Sequence, residues 1–211
     1  MQSTNYQLVL NKTLEEIKSE HKTPSLLLHV CCAPCSSYVL EYLSDYFEIT
    51  LYYYNPNIYP QEEYFTRLKE LIKFVQEFKA NNAIFIEEAH YNPSEFYQKI
   101  QGLENEKEGG GRCKKCYALR LEAAAQKAAE KSLDYFTTTL SISPLKNAKW
   151  INELGADYEN KYGIRYLYAD FKKKEGYKRS IELSKQYGLY RQDYCGCEFS
   201  MRNKKQKNEK V

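Results

Sequence analysis

Short, unbroken apolar runs alternate along the chain with longer stretches of helical period, and few folds accommodate that order. Ser25 to Val30 reads Ser-Leu-Leu-Leu-His-Val. It is continuous rather than alternating, the pattern of a parallel strand buried on both faces. Glu48 to Tyr54, Ala83 to Glu88, Asp134 to Thr139 and Ile164 to Tyr168 extend the series of strands. Between them residues 36–46, Pro60 to Ala80, Pro93 to Leu103, Cys113 to Ser132, Pro144 to Tyr162 and Lys174 to Tyr187 carry helical spacing or propensity. A first helix precedes them over residues 7–20, through Leu8, Leu10, Leu14 and Ile17, and Thr23-Pro24 stops it. Strand-helix alternation of this kind predicts an α/β fold with one parallel sheet and helices on its faces, in a single domain. Residues 1–24 form a helical extension, 25–200 the α/β domain, and 201–211 a basic tail expected to be mobile. The most loop-like interior stretch is 104–112, with Gly109-Gly110-Gly111.

The length of 211 residues suits one cored domain. Lys and Arg number 31 against 28 Asp and Glu, and the signs are mixed along the chain, which excludes a disordered polyelectrolyte and a strongly basic nucleic-acid wrapper. No apolar run approaches the roughly 20 residues that cross a bilayer. The start has no basic stretch followed by an apolar core and a small-residue cleavage site. The expected location is the cytoplasm, with no membrane partner.

Seven cysteines fall into three groups: Cys31, Cys32 and Cys35; Cys113 and Cys116; Cys195 and Cys197. In a reducing compartment such groups are metal ligands or redox centres more often than disulfides. The first group follows the first strand, at the end where open parallel sheets bind ligands. Cys113 and Cys116 are three residues apart at a helix start, hence on one face. Gly196 lets the backbone bend so that Cys195 and Cys197 turn toward one site. The helix N-terminus and Arg112, Lys114 and Lys115 are expected to ease formation of the Cys113 and Cys116 thiolates. Seven thiolates exceed the four that one zinc or one cubane cluster takes. Spacing alone leaves structural zinc, an iron-sulfur cluster and a thiol redox site all open.

Other features admit plainer readings. His21, His29 and His90 are isolated from one another, and His29 suits a satisfied core position at least as well as one behind the metal ligands. Tyr52-Tyr-Tyr54 reads as strand packing, while Tyr54 to Ile58 falls where a ligand could be touched. Ser141 to Asn147 is expected to open a helix with Ser143 as cap and Pro144 in its first turn. Free N–H groups and Lys146 would suit a phosphate there. Lys204, Lys205, Lys207 and Lys210 suit either RNA phosphates or plain solvation.

Five segments in order, His29 to Cys35, Tyr54 to Ile58, Gly111 to Arg120, Thr137 to Asn147 and Tyr190 to Cys197, resemble the QueH family of epoxyqueuosine reductases over about residues 25–200. The resemblance implies a Rossmann-like three-layer sheet similar to that of adenine nucleotide α-hydrolases (HUP-like). It implies a 4Fe-4S cluster with an adjacent mononuclear iron, zinc being a substitute there. The implied metal ligands are Cys31, Cys32, Cys113, Cys116, Cys195 and Cys197. Cys35, where some members carry Asp, is the candidate for the single ion. The implied reaction is the last step of queuosine synthesis: the epoxide of epoxyqueuosine at the tRNA wobble position becomes an alkene. Two electrons from an external donor and two protons enter, and water leaves. Arg112, Lys146, Asn147, Arg191 and Gln192 become candidates for holding tRNA phosphate or the modified base. Tyr190, Asp193 and Tyr194, beside the last cysteine pair, become candidate proton donors. ATP-using enzymes of related fold carry a Ser-Gly-Gly-x-Asp-Ser type loop where this chain has Cys-Cys-Ala-Pro-Cys-Ser-Ser, so ATP use is not expected. The rival from another class is a non-catalytic, zinc-stabilised RNA-binding module.

Overall fold

The computed structural model describes residues 4–202; all but the first two residues of the expected basic tail, its lysines from 204 onward included, lie outside the described residues. The chain forms helix α1 (Tyr6–Ser19), strand β1 (Ser25–His29), α2 (Ala33–Leu43), β2 (Glu48–Tyr53), α3 (Gln61–Glu77), β3 (Ile84–Glu88) and α4 (Pro93–Lys99). There follow α5 (Gly111–Glu130), β4 (Tyr135–Thr138), a 3-10 turn (Thr139–Ile142), α6 (Ala148–Tyr162), β5 (Arg165–Tyr166) and α7 (Gly176–Gln186).

The five strands make one sheet in the order β3-β2-β1-β4-β5, every neighbouring pair parallel. β1 is central, pairing Leu26 with Ile49 of β2 on one side and with Tyr135 of β4 on the other. Leu26, Leu27 and Leu28 are all fully buried, as a strand covered on both faces requires. Leu26 and Leu28 join a core with α1, α2, α3 and α7, and Leu27 joins one with α5 and α6. This is the three-layer, Rossmann-like α/β arrangement. The chain runs outward from β1 to β2 and β3, then returns across it to β4. The carboxyl ends of β1 and β4 therefore flank the point where strand order reverses, which opens a crevice.

Local chemistry explains where elements differ from periodicity. α1 is capped by Asn5, whose side chain accepts from the Gln7 and Leu8 N–H groups, and Leu10, Leu14 and Ile17 bury its inner face. α4 ends at Lys99, short of Leu103, because Ile100 leaves helical geometry and Gly102 takes a positive φ. β5 keeps only Arg165–Tyr166, an edge against Tyr135 and Phe136. Ser143 does not cap α6. Asn147 does, accepting from the Trp150 N–H at 3.1 Å, while Ser143 Oγ accepts from Leu145 N at 3.3 Å. Pro144 thus lies in a turn before α6 rather than in its first turn. An Asn carbonyl aimed at free N–H groups is a strong cap, which accounts for the later start.

Candidate metal centre

β1 delivers the chain directly to the first cysteine group. Cys32 is the residue before α2, and Pro34 lies in that helix's first turn, where its fixed φ is favourable. α2 therefore starts at Ala33 rather than at residue 36, and Cys35 sits in its first turn. The sulfurs of Cys31, Cys32 and Cys35 lie within 4.8 Å of one another, Cys31 and Cys32 at 3.8 Å. Tetrahedral metal–sulfur bonds of about 2.3 Å place two sulfurs about 3.8 Å apart, so the spacing matches a shared ion. Hydrogen bonding with Cys32 and Cys35 holds the Cys31 thiol well below its ordinary pKa. The contact with Cys31 pushes Cys35 up to about 12, and the same contact drives Cys32 upward. Within the trio Cys31 is therefore the thiol that loses its proton first.

α5 supplies Cys113 and Cys116, and Gly109 donates its N–H to Cys113 Sγ at 3.3 Å. The Cys195–Cys197 segment is pinned to the loop after β2: Tyr59 N donates to Gly196 O at 2.8 Å and Tyr194 Oη to Tyr59 O at 2.9 Å. Gly196 holds φ at 111°, which disfavours a side chain, and an added Cβ would lie 2.8 Å from Arg67 Nη1. Cys113, Cys116, Cys195 and Cys197 line a small cavity of about 20 Å³ together with Asn57, Phe96, Arg112, Tyr117 and Arg120. Cys113, Tyr117 and Cys195 also face a larger cavity of about 420 Å³, whose wall carries Cys31, Cys32 and Cys35. The cysteine groups thus converge at the crevice beyond β1 and β4.

The expectation that the start of α5 eases deprotonation of Cys113 and Cys116 is overturned. Burial pushes the Cys113 thiol up and the Cys116 thiol to about 12, outweighing the nearby cations. Of those cations, Lys114 lies over the Trp150 ring, 5.6 Å from its centroid. Burial likewise raises Cys197. A bound cation displaces such protons readily.

Buried positive charge surrounds the thiols. Arg67, 2% exposed, pairs with Glu63 at 2.7 Å, yet its Nη2 has no hydrogen-bond partner. Arg120 is equally buried, and its Nη2 is also unpartnered. Burial pulls the Lys146 ammonium toward neutrality, but the neighbouring sulfurs of Cys195, Cys31 and Cys35 outweigh it and raise its pKa. Soft sulfur donors, thiols protonated by burial, and cations with unmatched donors together fit a metal centre of net negative charge.

A family model described as Epoxyqueuosine reductase QueH matches residues 26–203. The chain belongs to the QueH family. Among proteins named Epoxyqueuosine reductase QueH, that of Streptococcus pyogenes serotype M1 is 46% identical over 201 residues, covering 94% of this chain and 79% of that protein. The Staphylococcus epidermidis protein is 46% identical over 203 residues, covering 94% and 85%. The Thermotoga maritima protein is 34% identical over 190 residues, covering 89% and 95%.

In this QueH chain the cavity of about 420 Å³ gathers Lys146, Arg191, Gln192, Asp193 and Tyr194 with the cysteines. Arg191 Nη1 donates to Ser184 Oγ at 3.1 Å, which steadies it against α7. Tyr190 does not line that cavity; its hydroxyl bonds Glu63 at 3.2 Å. Arg112 is buried, donating to the carbonyls of Glu104 (2.8 Å) and Glu106 and lying over the Phe199 ring at 4.3 Å. It braces the 104–110 loop. Asn147 is engaged as the α6 cap. His29 is a satisfied core residue: Nε2 donates to Tyr54 O at 3.0 Å, Nδ1 contacts Thr138 Oγ1 at 2.8 Å, and burial lowers its pKa to about 4. Tyr52 and Tyr54 stack with centroids 5.9 Å apart, and all three tyrosines of that run are buried.

Sequence reasoning passed over Arg67, Tyr117 and Arg120. A signal existed for two of them. Arg67 interrupts the apolar face of α3 between Tyr64 and Leu71, and Arg120 follows Cys113 and Cys116 at helical spacing.

Proposed function

We propose that the chain is an epoxyqueuosine reductase that acts on tRNA in the cytoplasm, with iron in its cysteine centre and electrons from an external donor. The cavity beyond β1 and β4, walled by five of the seven cysteines and by Lys146, carries this assignment: its volume of about 420 Å³ admits one extruded nucleoside. Cys113, Cys116, Cys195 and Cys197 would hold a 4Fe-4S cluster, and Cys31, Cys32 and Cys35 the adjacent single iron. The bound metals would supply electrons one at a time and a Lewis acid for the epoxide oxygen.

The protein's own groups do the remaining work. Lys146 stays protonated and offers an N–H donor at the cysteine wall. Arg191 and Gln192 border the same cavity and would hold the phosphate or the base. Asp193 and Tyr194 would keep a proton near the departing oxygen; burial raises Tyr194 to about 12, so its hydroxyl remains protonated. Arg112 and Asn147 act by fixing the loop and the helix start beside the cavity.

The test is anaerobic purification with iron, sulfide and zinc quantified, then incubation with epoxyqueuosine-containing tRNA and a strong reductant, with nucleosides read by mass spectrometry. About five irons and four sulfides per chain, with queuosine formed, is the expected result. Zinc alone after anaerobic reconstitution, with epoxyqueuosine unchanged, would replace this reading by the zinc-stabilised RNA-binding module. Turnover intact in Asp193→Asn or Tyr194→Phe would remove that residue from proton delivery.

A further inference from the structure

Arg120 is a buried cation with no anionic partner. Cys113, Cys116 and Arg120 recur on one face of α5 at spacings of three and four. Arg120 is 2% exposed; its Nε donates to Cys116 O at 3.2 Å and its Nη2 has no hydrogen-bond partner. Among the described residues no carboxylate forms an ion pair with it, whereas Arg67 is matched by Glu63. Its side chain lines the small cysteine cavity and not the large one, so substrate is out of reach. The small cavity that it lines also carries Cys113, Cys116, Cys195 and Cys197, the Tyr117 ring with its centroid 6.0 Å away, and Arg112, whose Nη1 is already taken by the Glu104 and Glu106 carbonyls. A buried charge left unmatched is strongly destabilising, and the anion that would match this one is absent from the protein's own carboxylates.

We propose that Arg120 is a positioning residue whose guanidinium is the fixed counter-charge of a metal–thiolate centre held by Cys113, Cys116, Cys195 and Cys197. The inference rests on the metal-centre reading above, but not on which metal occupies it. When a metal enters, the thiol protons leave to solvent and the centre becomes anionic against a charge already in place. A one-electron reduction makes the centre more negative by one unit. The guanidinium keeps its charge throughout, so no compensating proton is needed, and the reduced form is favoured. Arg120 thereby raises both metal affinity and reduction potential.

The full chain is compared with Arg120→Met, which keeps bulk and loses charge, and with Arg120→Lys, which keeps charge. In the metal-free proteins Arg120→Met is expected to melt at or above the parent's temperature, because an unmatched buried charge is gone. A chromophoric chelator competing for zinc is expected to strip Arg120→Met at least about tenfold more easily than the parent, with Arg120→Lys closer to the parent. In the iron-reconstituted chain, an EPR-monitored redox titration is expected to give a more negative midpoint for Arg120→Met and a near-parental one for Arg120→Lys. Zinc competition and midpoint both unchanged in Arg120→Met would overturn the proposal. So would metal-free Arg120→Met melting far below the parent, since that would make Arg120 a structural prop. A parent that binds zinc but develops no iron-sulfur signal would count against the proposed cofactor, and the zinc competition would still decide Arg120.

Discussion

Gly196 separates Cys195 from Cys197 with a φ of 111°, and its hydrogen atoms face Arg67, where a methyl group would lie 2.8 Å from Nη1. Gly196→Ala therefore meets backbone strain and a buried guanidinium at once, a cost of about 1–3 kcal/mol. The variant is expected to fold, because the segment lies outside the sheet, but to bind fewer metal ions per chain; elemental analysis beside a denaturant melt checks this. Cys31 carries a different consequence. Its thiol titrates well below its ordinary value through hydrogen bonding with Cys32 and Cys35, whereas Cys35 and Cys116 are pushed to about 12. In the reduced, metal-free chain near neutral pH, an alkylating reagent small enough for the cavity is expected to label Cys31 before Cys35 or Cys116. Peptide mapping over time gives the order, and preferential labelling of Cys116 would contradict it. The cysteines were legible from sequence because their type and spacing announce them. Arg67 and Arg120 were harder to see, since a cation on a helix is ordinarily solvated and only its burial marks it.

At the scale of elements, β1 and β4 are clamped at their starts as well as paired along their length. Ser25 donates from both N and Oγ to Asp134 Oδ2 at 2.8 Å, and Asp134 N donates back to Ser25 Oγ at 3.0 Å. The backbone N–H of Ser25 is the main reason the Asp134 carboxyl titrates below its ordinary 3.8. A lowered carboxylate pKa means that the unfolded chain binds the proton more readily. The clamp's contribution is then full above pH 3.8 and fades as pH falls through the lower folded value. Because the site is mostly exposed, Asp134→Asn is expected to cost about 1 kcal/mol or less at neutral pH. The gap should close in acid; urea melts at pH 7 and pH 3 compare the two. Helix boundaries belong to this scale too. Periodicity located α1 to α7 but not the helical turn at residues 198–202; α2 begins at Ala33 and α6 at Ala148, where a proline and an asparagine cap decide the first turn. Gly155 of α6 shows the same dependence on neighbours: a Cβ there would lie 2.3 Å from the Tyr166 ring, so the helix sits close on β5 only as glycine.

For the whole molecule, the cysteine crevice joins peripheral segments to the sheet. Most β1, β2 and β4 residues are buried, while the 104–110 loop reaches the crevice through Glu108 and Gly109 and the 189–202 segment through Arg191 to Cys195. Removing metal with a chelator is expected to speed amide exchange in those two segments while β1, β2 and β4 keep their protection. Hydrogen-exchange mass spectrometry of the two forms reads it directly, and uniform loosening of the sheet would contradict it. Among the described residues no helix is long and apolar enough to cross a membrane. The strand count, the parallel alternation and the three cysteine groups were written in the sequence by itself, because hydrophobic period and residue chemistry are local properties. Tertiary structure alone decided that β4 returns beside β1, and hence that cysteines separated by more than 160 positions line one crevice. It also decided which thiols are acidic and which cations are stranded, because both depend on burial, and burial is set by the packing of elements remote in the chain.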